Sequence, residues 1–428
     1  MAKMLPKWLK REKKKKKKKR ADCNYSTNLV TDESEDGEEE TGDHFFGSID
    51  TDPCIPTNEL RVFIGTWNVG GKSPVGNLTV DLEEWLNLKE AADIYVLGFQ
   101  EMVPLKTLNV LGLADKTEAT NWNLLIEKVL NAYGGRSSNK YKMMASKRMV
   151  GVFICVWMKK GVLRKYSVSK ARVSSVACGI MGCLGNKGAV TVSMSIEGVS
   201  FCFIAAHLAS GEKKGDEGRR NRQVLEIFRR TSFLLPSKDD PNDDHYHPPT
   251  ILGHDRIFWF GDLNYRLYLE DHLARDLVSK YDWEALQAYD QLRCELEEGG
   301  AFEGWREGNL EFAPTYKYSE SNCDRYSGSF GGRSGEKQRT PAWCDRILWW
   351  GEGVKQLSYF RSESMFSDHR PVSALFSMQV EVRKETNQKV FPVNATEFRP
   401  PENLLPRNSE EDNKPATLLS MLERDIDE

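Results

Sequence analysis

No stretch of this 428-residue sequence reaches 18 apolar residues, so no membrane-spanning helix is expected. No apolar segment follows the charges near its start, so no secretory signal is expected either. Residue 2 is Ala and the last four residues are DIDE, which offer no myristoylation or prenylation site; any membrane contact would then be reversible and salt-sensitive. The nine cysteines, at 23, 54, 155, 178, 183, 202, 294, 323 and 344, contain no C-x-x-C pair. Their odd number, with several inside apolar runs, argues for buried free thiols and a reducing cytoplasmic or nuclear setting. No internal repeat is present. What is present, 39% hydrophobic residues and 11 tryptophans, excludes a wholly disordered chain.

The net charge of −3 conceals a strong asymmetry. Residues 7–20 (KWLKREKKKKKKKR) hold eleven Lys or Arg and one Glu, and residues 32–43 (DESEDGEEETGD) hold eight acids and no base. Blocks of one sign repel themselves, so residues 1–58 read as a disordered basic-then-acidic arm. Residues 384–428, with NQK, FRPPENLLPRNSEEDNK and ATLLSMLERDIDE, read as a flexible tail with one short helix. The folded region expected is 59–383.

Within it, apolar runs predict strands at 61–67 (RVFIGTW), 94–99 (IYVLGF), 150–157 (VGVFICVW), 189–196 (AVTVSMSI), 199–206 (VSFCFIAA), 256–260 (RIFWF) and 371–382. Runs as continuous as FICVW and FCFIA imply strands covered on both faces. Helical periodicity appears at 81–91, 121–132, 218–235, 271–280 and 283–297. Many strands with few intervening helices point to two packed sheets flanked by helices.

Polar residues terminate these strands: Asn68, Gln100 and Glu101, His207, Asp262 and Asn264, Asp345, and Asp368 with His369. Singly, each has a bland reading, since Asn and Asp cap helices and open turns, and a His after an apolar strand is often a hydrogen-bonded core residue. Together, four carboxylates, two imidazoles and two Asn at strand exits exceed what turns require. Carboxylate and Asn oxygens suit a hard cation such as Mg²⁺, and imidazoles suit contact with a phosphoryl group. The tract DDPNDDHYHPP (239–249) also resembles a metal site, but its Pro-rich loop fixes no coordination geometry, and it reads as solvated. The Trp349–Trp350 pair and Cys344, which has no C-x5-R loop behind it, read as core.

FWFGDLNYRL (258–267) and RTPAWCDRILW (339–349) resemble the two signature motifs of the inositol polyphosphate 5-phosphatases, plant type I members included. TWNVGG, FQE, LGNKGA, AAHLASG, PTYKY and SDHRPV follow in that family's order, over residues 59–383. The resemblance implies an α/β fold, the four-layered α-β-β-α sandwich of two packed sheets of the DNase I-like superfamily. It implies that Glu101 ligates Mg²⁺, with Asn68 holding the metal or the scissile phosphate. Asp262 would position and deprotonate the attacking water, and Asn264 would orient the water or the phosphate. Asp345 would fix the tautomer of His369, which faces the phosphoryl oxygens, and His207 would contact the same phosphate, supported by Asp368. Tyr316, Lys317 and Lys337 would grip the 4-phosphate, with Lys187 and Arg339 as further cations. Arg219, Arg220 and Asn221, in GRRNRQ, either edge the pocket or form a solvated helix face.

The expected activity is Mg²⁺-dependent hydrolysis of the 5-phosphate of phosphoinositides or soluble inositol polyphosphates, by a monomer with no obligate nucleic acid. Two rivals stand beside it: a Mg²⁺-dependent nuclease of the same fold, suggested by the basic arm, and a catalytically inactive interaction module. In the arm, Met1, Leu5, Trp8 and Leu9 are spaced as one helical face ahead of the lysine run. That pattern fits peripheral contact of residues 1–20 with anionic membrane; nuclear import and RNA attachment are the other readings.

Overall fold

The computed structural model describes residues 57–74, 79–103, 117–132, 139–179, 185–233, 248–319, 324–328 and 338–381. The basic and acidic blocks, the C-terminal tail, the 239–247 tract and Lys337 lie outside the described residues. Everything below concerns the unit Ile55–Glu428.

Twelve strands form two six-stranded sheets. The first runs β11 (Val354–Arg361), β12 (Val372–Glu381), β1 (Thr57–Asn68), β2 (Ile94–Gln100), β4 (Val152–Lys159), β3 (Tyr141–Met149). The second runs β5 (Arg172–Ala177), β6 (Gly188–Ile196), β7 (Val199–His207), β8 (Arg256–Asp262), β10 (Asp345–Trp350), β9 (Arg306–Glu307). Each sheet is antiparallel except for one central parallel pair, β1 with β2 and β7 with β8.

Alternation along the strands builds the layers. Val62 and Ile64 of β1, with Phe258 and Phe260 of β8, point into the core between the sheets. Phe63 and Trp67 point the other way, against Trp85 of α1 (Thr79–Trp85) and Trp122 and Ile126 of α2 (Thr117–Ala132). On the far side, Ile257 and Trp259 meet Val224 and Ile227 of α4 (Asp216–Arg230), which follows the short α3 (Lys160–Lys165). The result is the four-layered α-β-β-α sandwich. Three further helices, α5 (Asp271–Ser279), α6 (Trp283–Gln287) and α7 (Gln291–Glu295), follow β8. The periodicity at 283–297 is thus two short helices, split where the Asp290 side chain caps the second. Trp349 lies within β10 and joins the inter-sheet core, Trp350 packs part-buried on the outer face, and Cys344 is buried. No helix among the described residues is long and apolar enough to cross a membrane.

Candidate active site

The parallel pairing sets His207 beside Asp262, and the antiparallel pairing sets Asp345 on the other side of Asp262. In the first sheet Asn68 pairs with Gln100, and β12 begins opposite Thr66, so the loop carrying Asp368 and His369 reaches the same rim. Both sheets therefore deliver their terminal polar residues to one end of the sandwich.

There the second carboxylate oxygen of Asp262 is the meeting point. Asn68 Nδ2 donates to it at 3.0 Å, His207 Nε2 stands 3.3 Å away and His369 Nε2 3.9 Å away. The other oxygen, Oδ1, accepts the Asn264 backbone N–H at 3.1 Å. Burial alone would raise the Asp262 carboxyl, but the positive field of His369, His207 and Lys187 outweighs it and holds the group well below the usual carboxylate range. Asp262 is a buried anion whose two oxygens are both engaged by the site's donors.

His369 is buried, with Nδ1 2.8 Å from Asp345 Oδ2. The Thr315 hydroxyl donates to that same oxygen at 2.6 Å. Burial opposes a charged ring, yet the carboxylates of Asp345 and Asp262 prevail and raise His369 from 6.5 to about 9. That field favours the imidazolium at neutral pH, with Nδ1–H on Asp345 and Nε2 turned toward Asp262 Oδ2. At His207 the neighbour is Lys187, whose Nζ is 2.6 Å from Nε2.

Glu101 stands at the rim with φ 51° and Asn264 with φ 56°, left-handed conformations that non-glycine residues hold only when their surroundings impose them. Asn68 ties the carboxylates together: its Nδ2 reaches Glu101 Oε1 at 3.2 Å as well as Asp262, while its Oδ1 accepts from Gly70. Glu101, His207 and Asp262 offer ligand atoms all within 4.8 Å of one another. Two hard carboxylate oxygens at the mouth suit a divalent cation. The second acidic cluster, Asp262, Asp345 and His369, is buried and is already bound together by the Asp345–His369 hydrogen bond.

The remaining sequence candidates divide. Tyr316 packs on His369, ring centroids 4.6 Å apart. Lys317 and Asp368 pair at 3.0 Å, so Asp368, expected to support His207, instead holds the neighbouring lysine. Arg339 approaches Glu212 at 3.9 Å. In GRRNRQ, Arg220 is buried on the carbonyls of Ala209 and Gly211, Asn221 accepts the Tyr265 hydroxyl, and Arg219 is partly exposed beside Asp216; the first two build the loop behind the site. Burial pushes the Cys344 thiol well above its ordinary range, which suits packing and not nucleophilic attack. The sequence reading misses Thr315, Glu212 and Arg266, whose partners are remote in sequence or are themselves site residues. Their presence within PTYKY, HLASGE and GDLNYR is the only signal.

The family model for the endonuclease/exonuclease/phosphatase family 2 matches residues 65–375. Type I inositol polyphosphate 5-phosphatase 8 of Arabidopsis thaliana is 47% identical, with 78% of this chain and 74% of that protein covered. This chain belongs to the inositol polyphosphate 5-phosphatases. Type IV inositol polyphosphate 5-phosphatase 9 of the same plant is 45% identical over 76% of this chain and 79% of its own. Among solved structures, the 5-phosphatase domain of SPsynaptojanin, in complex with inositol (1,4)-bisphosphate and calcium ion, is 30% identical with a TM-score of 0.64. That likeness covers 76% of this phosphatase and 86% of the solved chain.

Proposed function

We propose that this phosphatase removes the 5-phosphate from inositol polyphosphates such as inositol 1,4,5-trisphosphate, or from phosphoinositide lipids such as phosphatidylinositol 4,5-bisphosphate, with Mg²⁺ as its cation. The observation that carries the reading is the convergence of Asn68, His207 and His369 on one oxygen of a buried, ionised Asp262. Glu101, with Asn68 beside it, would hold the cation, which would supply charge neutralisation at the phosphoryl oxygens.

The chain's own residues account for the remaining steps. Asp262 accepts a proton from water as the water oxygen bonds to phosphorus. In line with that attack, the bond from phosphorus to the ring oxygen breaks, and the ring oxygen leaves with a proton from solvent. The His369 imidazolium donates Nε2–H to a phosphoryl oxygen, where charge builds in the transition state, while Asp345 and Thr315 keep the ring turned to that task. Lys187, on His207, adds a positive charge at the same place. Tyr316 and Lys317 flank His369, which suits them to a phosphate next to the scissile one. Together with this we propose a monomer in the cytoplasm or nucleus, whose residues 1–20 contact anionic lipid.

The test is phosphate release from inositol trisphosphate and from 4,5-bisphosphorylated lipid, beside strand cleavage of DNA, each with Mg²⁺ or with EDTA. Release from the inositol substrates with Mg²⁺ alone is expected. Degradation of DNA without inositol turnover would favour a nuclease.

A further inference from the structure

Arg266 is buried two residues beyond Asn264, in the segment leaving β8. Its Nε donates to the Asn264 carbonyl at 3.1 Å, and one terminal nitrogen donates to the Asn264 side-chain oxygen at 2.6 Å. The other terminal nitrogen donates to Glu212 at 3.1 Å. The guanidinium lies 4.5 Å from the Tyr316 ring centroid, a cation–π distance. The Arg266 backbone N–H is fixed too, on Gln291 Oε1 at 2.8 Å. All three guanidinium nitrogens are thus engaged, two of them on Asn264.

The consequence lies in the Asn264 amide. Its Oδ1 faces Arg266, and its Nδ2 donates to the Leu208 carbonyl at 3.1 Å. An amide has two N–H donors, so one N–H remains for a phosphoryl oxygen or the attacking water. Turned by half a revolution, the same amide would offer an acceptor where a donor is needed. A guanidinium has donors only and admits only one of the two orientations. We propose that Arg266 is a positioning residue that fixes the orientation of the Asn264 amide, held in its own plane by Glu212 and the face of Tyr316. The inference rests on the phosphatase reading above.

A lysine at 266 keeps the charge but cannot grip the carbonyl, the amide oxygen and Glu212 together. Misorientation at a reacting centre costs up to about 100-fold in rate. Arg266→Lys is therefore expected to lower kcat on inositol trisphosphate roughly 10- to 100-fold, with KM within about threefold and the melting temperature close to wild type. The deciding measurement is a double-mutant cycle with Asn264→Ala. If Arg266 acts through Asn264, adding Arg266→Lys to the Asn264→Ala enzyme lowers kcat by less than about threefold. Equal losses in the two backgrounds overturn the proposal, as does a loss confined to KM. Should Arg266→Lys not fold, Glu212→Gln takes its place in the same cycle, with a smaller loss expected and the same criterion. A wild-type enzyme that turns over no inositol phosphate would remove the phosphatase reading itself; turnover with additive losses removes only the role of Arg266.

Discussion

At the scale of residues, the site divides its labour by electrostatics. Asp262 is held ionised by the positive groups around it, and His369 is held protonated by the acids around it. Such groups act mainly in the transition state, so Asp262→Asn and His369→Ala are each expected to cost about 10²- to 10⁴-fold in kcat at temperatures where both variants remain folded. Steady-state kinetics beside thermal melts check this; a variant keeping a third of wild-type turnover would exclude its residue from the chemistry. The imidazolium also predicts a stability profile. Its proton is held up to about pH 9 in the fold but only to 6.5 in the ordinary state, so its stabilisation is complete below pH 6.5 and lost as pH rises through about 9. In EDTA, the melting-temperature gap between wild type and His369→Gln should be widest below pH 6.5 and close between 6.5 and 9. A gap that stays constant across that window would show the ring to be neutral. These polar residues are legible in the sequence because each interrupts or ends an apolar run. Arg266 and Glu212 are not, because a buried arginine is recognisable only by its partners, and Glu212 lies 54 residues away.

At the scale of elements, legibility follows burial. The seven strands predicted from apolar runs all exist, and all are interior to their sheets. The four edge strands, β11, β3, β5 and β9, escape that reading because an edge needs no continuous apolar run, and β5 and β11 alternate exposed with half-buried positions. Strand β10 escapes for a different reason. It opens with Asp345 and Arg346, and Arg346 is buried on Asp290 at 2.9 Å and Glu307 at 2.6 Å, ion pairs that no hydrophobic pattern announces. Two glycines separate what the sandwich needs from what the site needs. A Cβ at Gly98 would stand 2.6 Å from the Phe260 ring in the inter-sheet core. Gly98→Ala should cost about 1–3 kcal/mol in urea denaturation, while kcat per folded molecule stays near wild type. Gly261 has φ 146°, and a Cβ there would strike the Ala206 carbonyl of the neighbouring strand. Because Ala206 and Gly261 precede the His207–Asp262 pair, Gly261→Ala should lose stability and kcat together. Equal kcat in the two folded variants would mean that the β7–β8 register does not set the site.

At the scale of the whole molecule, charge decides how the enzyme would meet a lipid. The chain as a whole is −3, yet residues 7–20 hold eleven basic residues against one acid, so the remainder carries a clear excess of acid. That excess lies in the acidic block and the C-terminal tail, while residues 59–383 are close to neutral, so the lysine run is the densest positive charge the chain can offer an anionic bilayer. Each cation near such a surface contributes about 1 kcal/mol, and the effect fades within a Debye length of roughly 8 Å at physiological salt. Deleting residues 1–20 should therefore abolish co-sedimentation with vesicles containing anionic lipid. It should lower turnover of 4,5-bisphosphorylated lipid in those vesicles and leave turnover of soluble inositol trisphosphate unchanged. Raising the salt should weaken binding of the full chain in the same way. The acidic block at 32–43 can compete with the bilayer for the lysines, so removing it alone should tighten vesicle binding. If the chain lacking 1–20 sediments as the full chain does, and hydrolyses the lipid as fast, the arm has no part in membrane contact. The lysine run then stands as an import or nucleic-acid segment, and access to lipid substrate must lie with the catalytic domain itself.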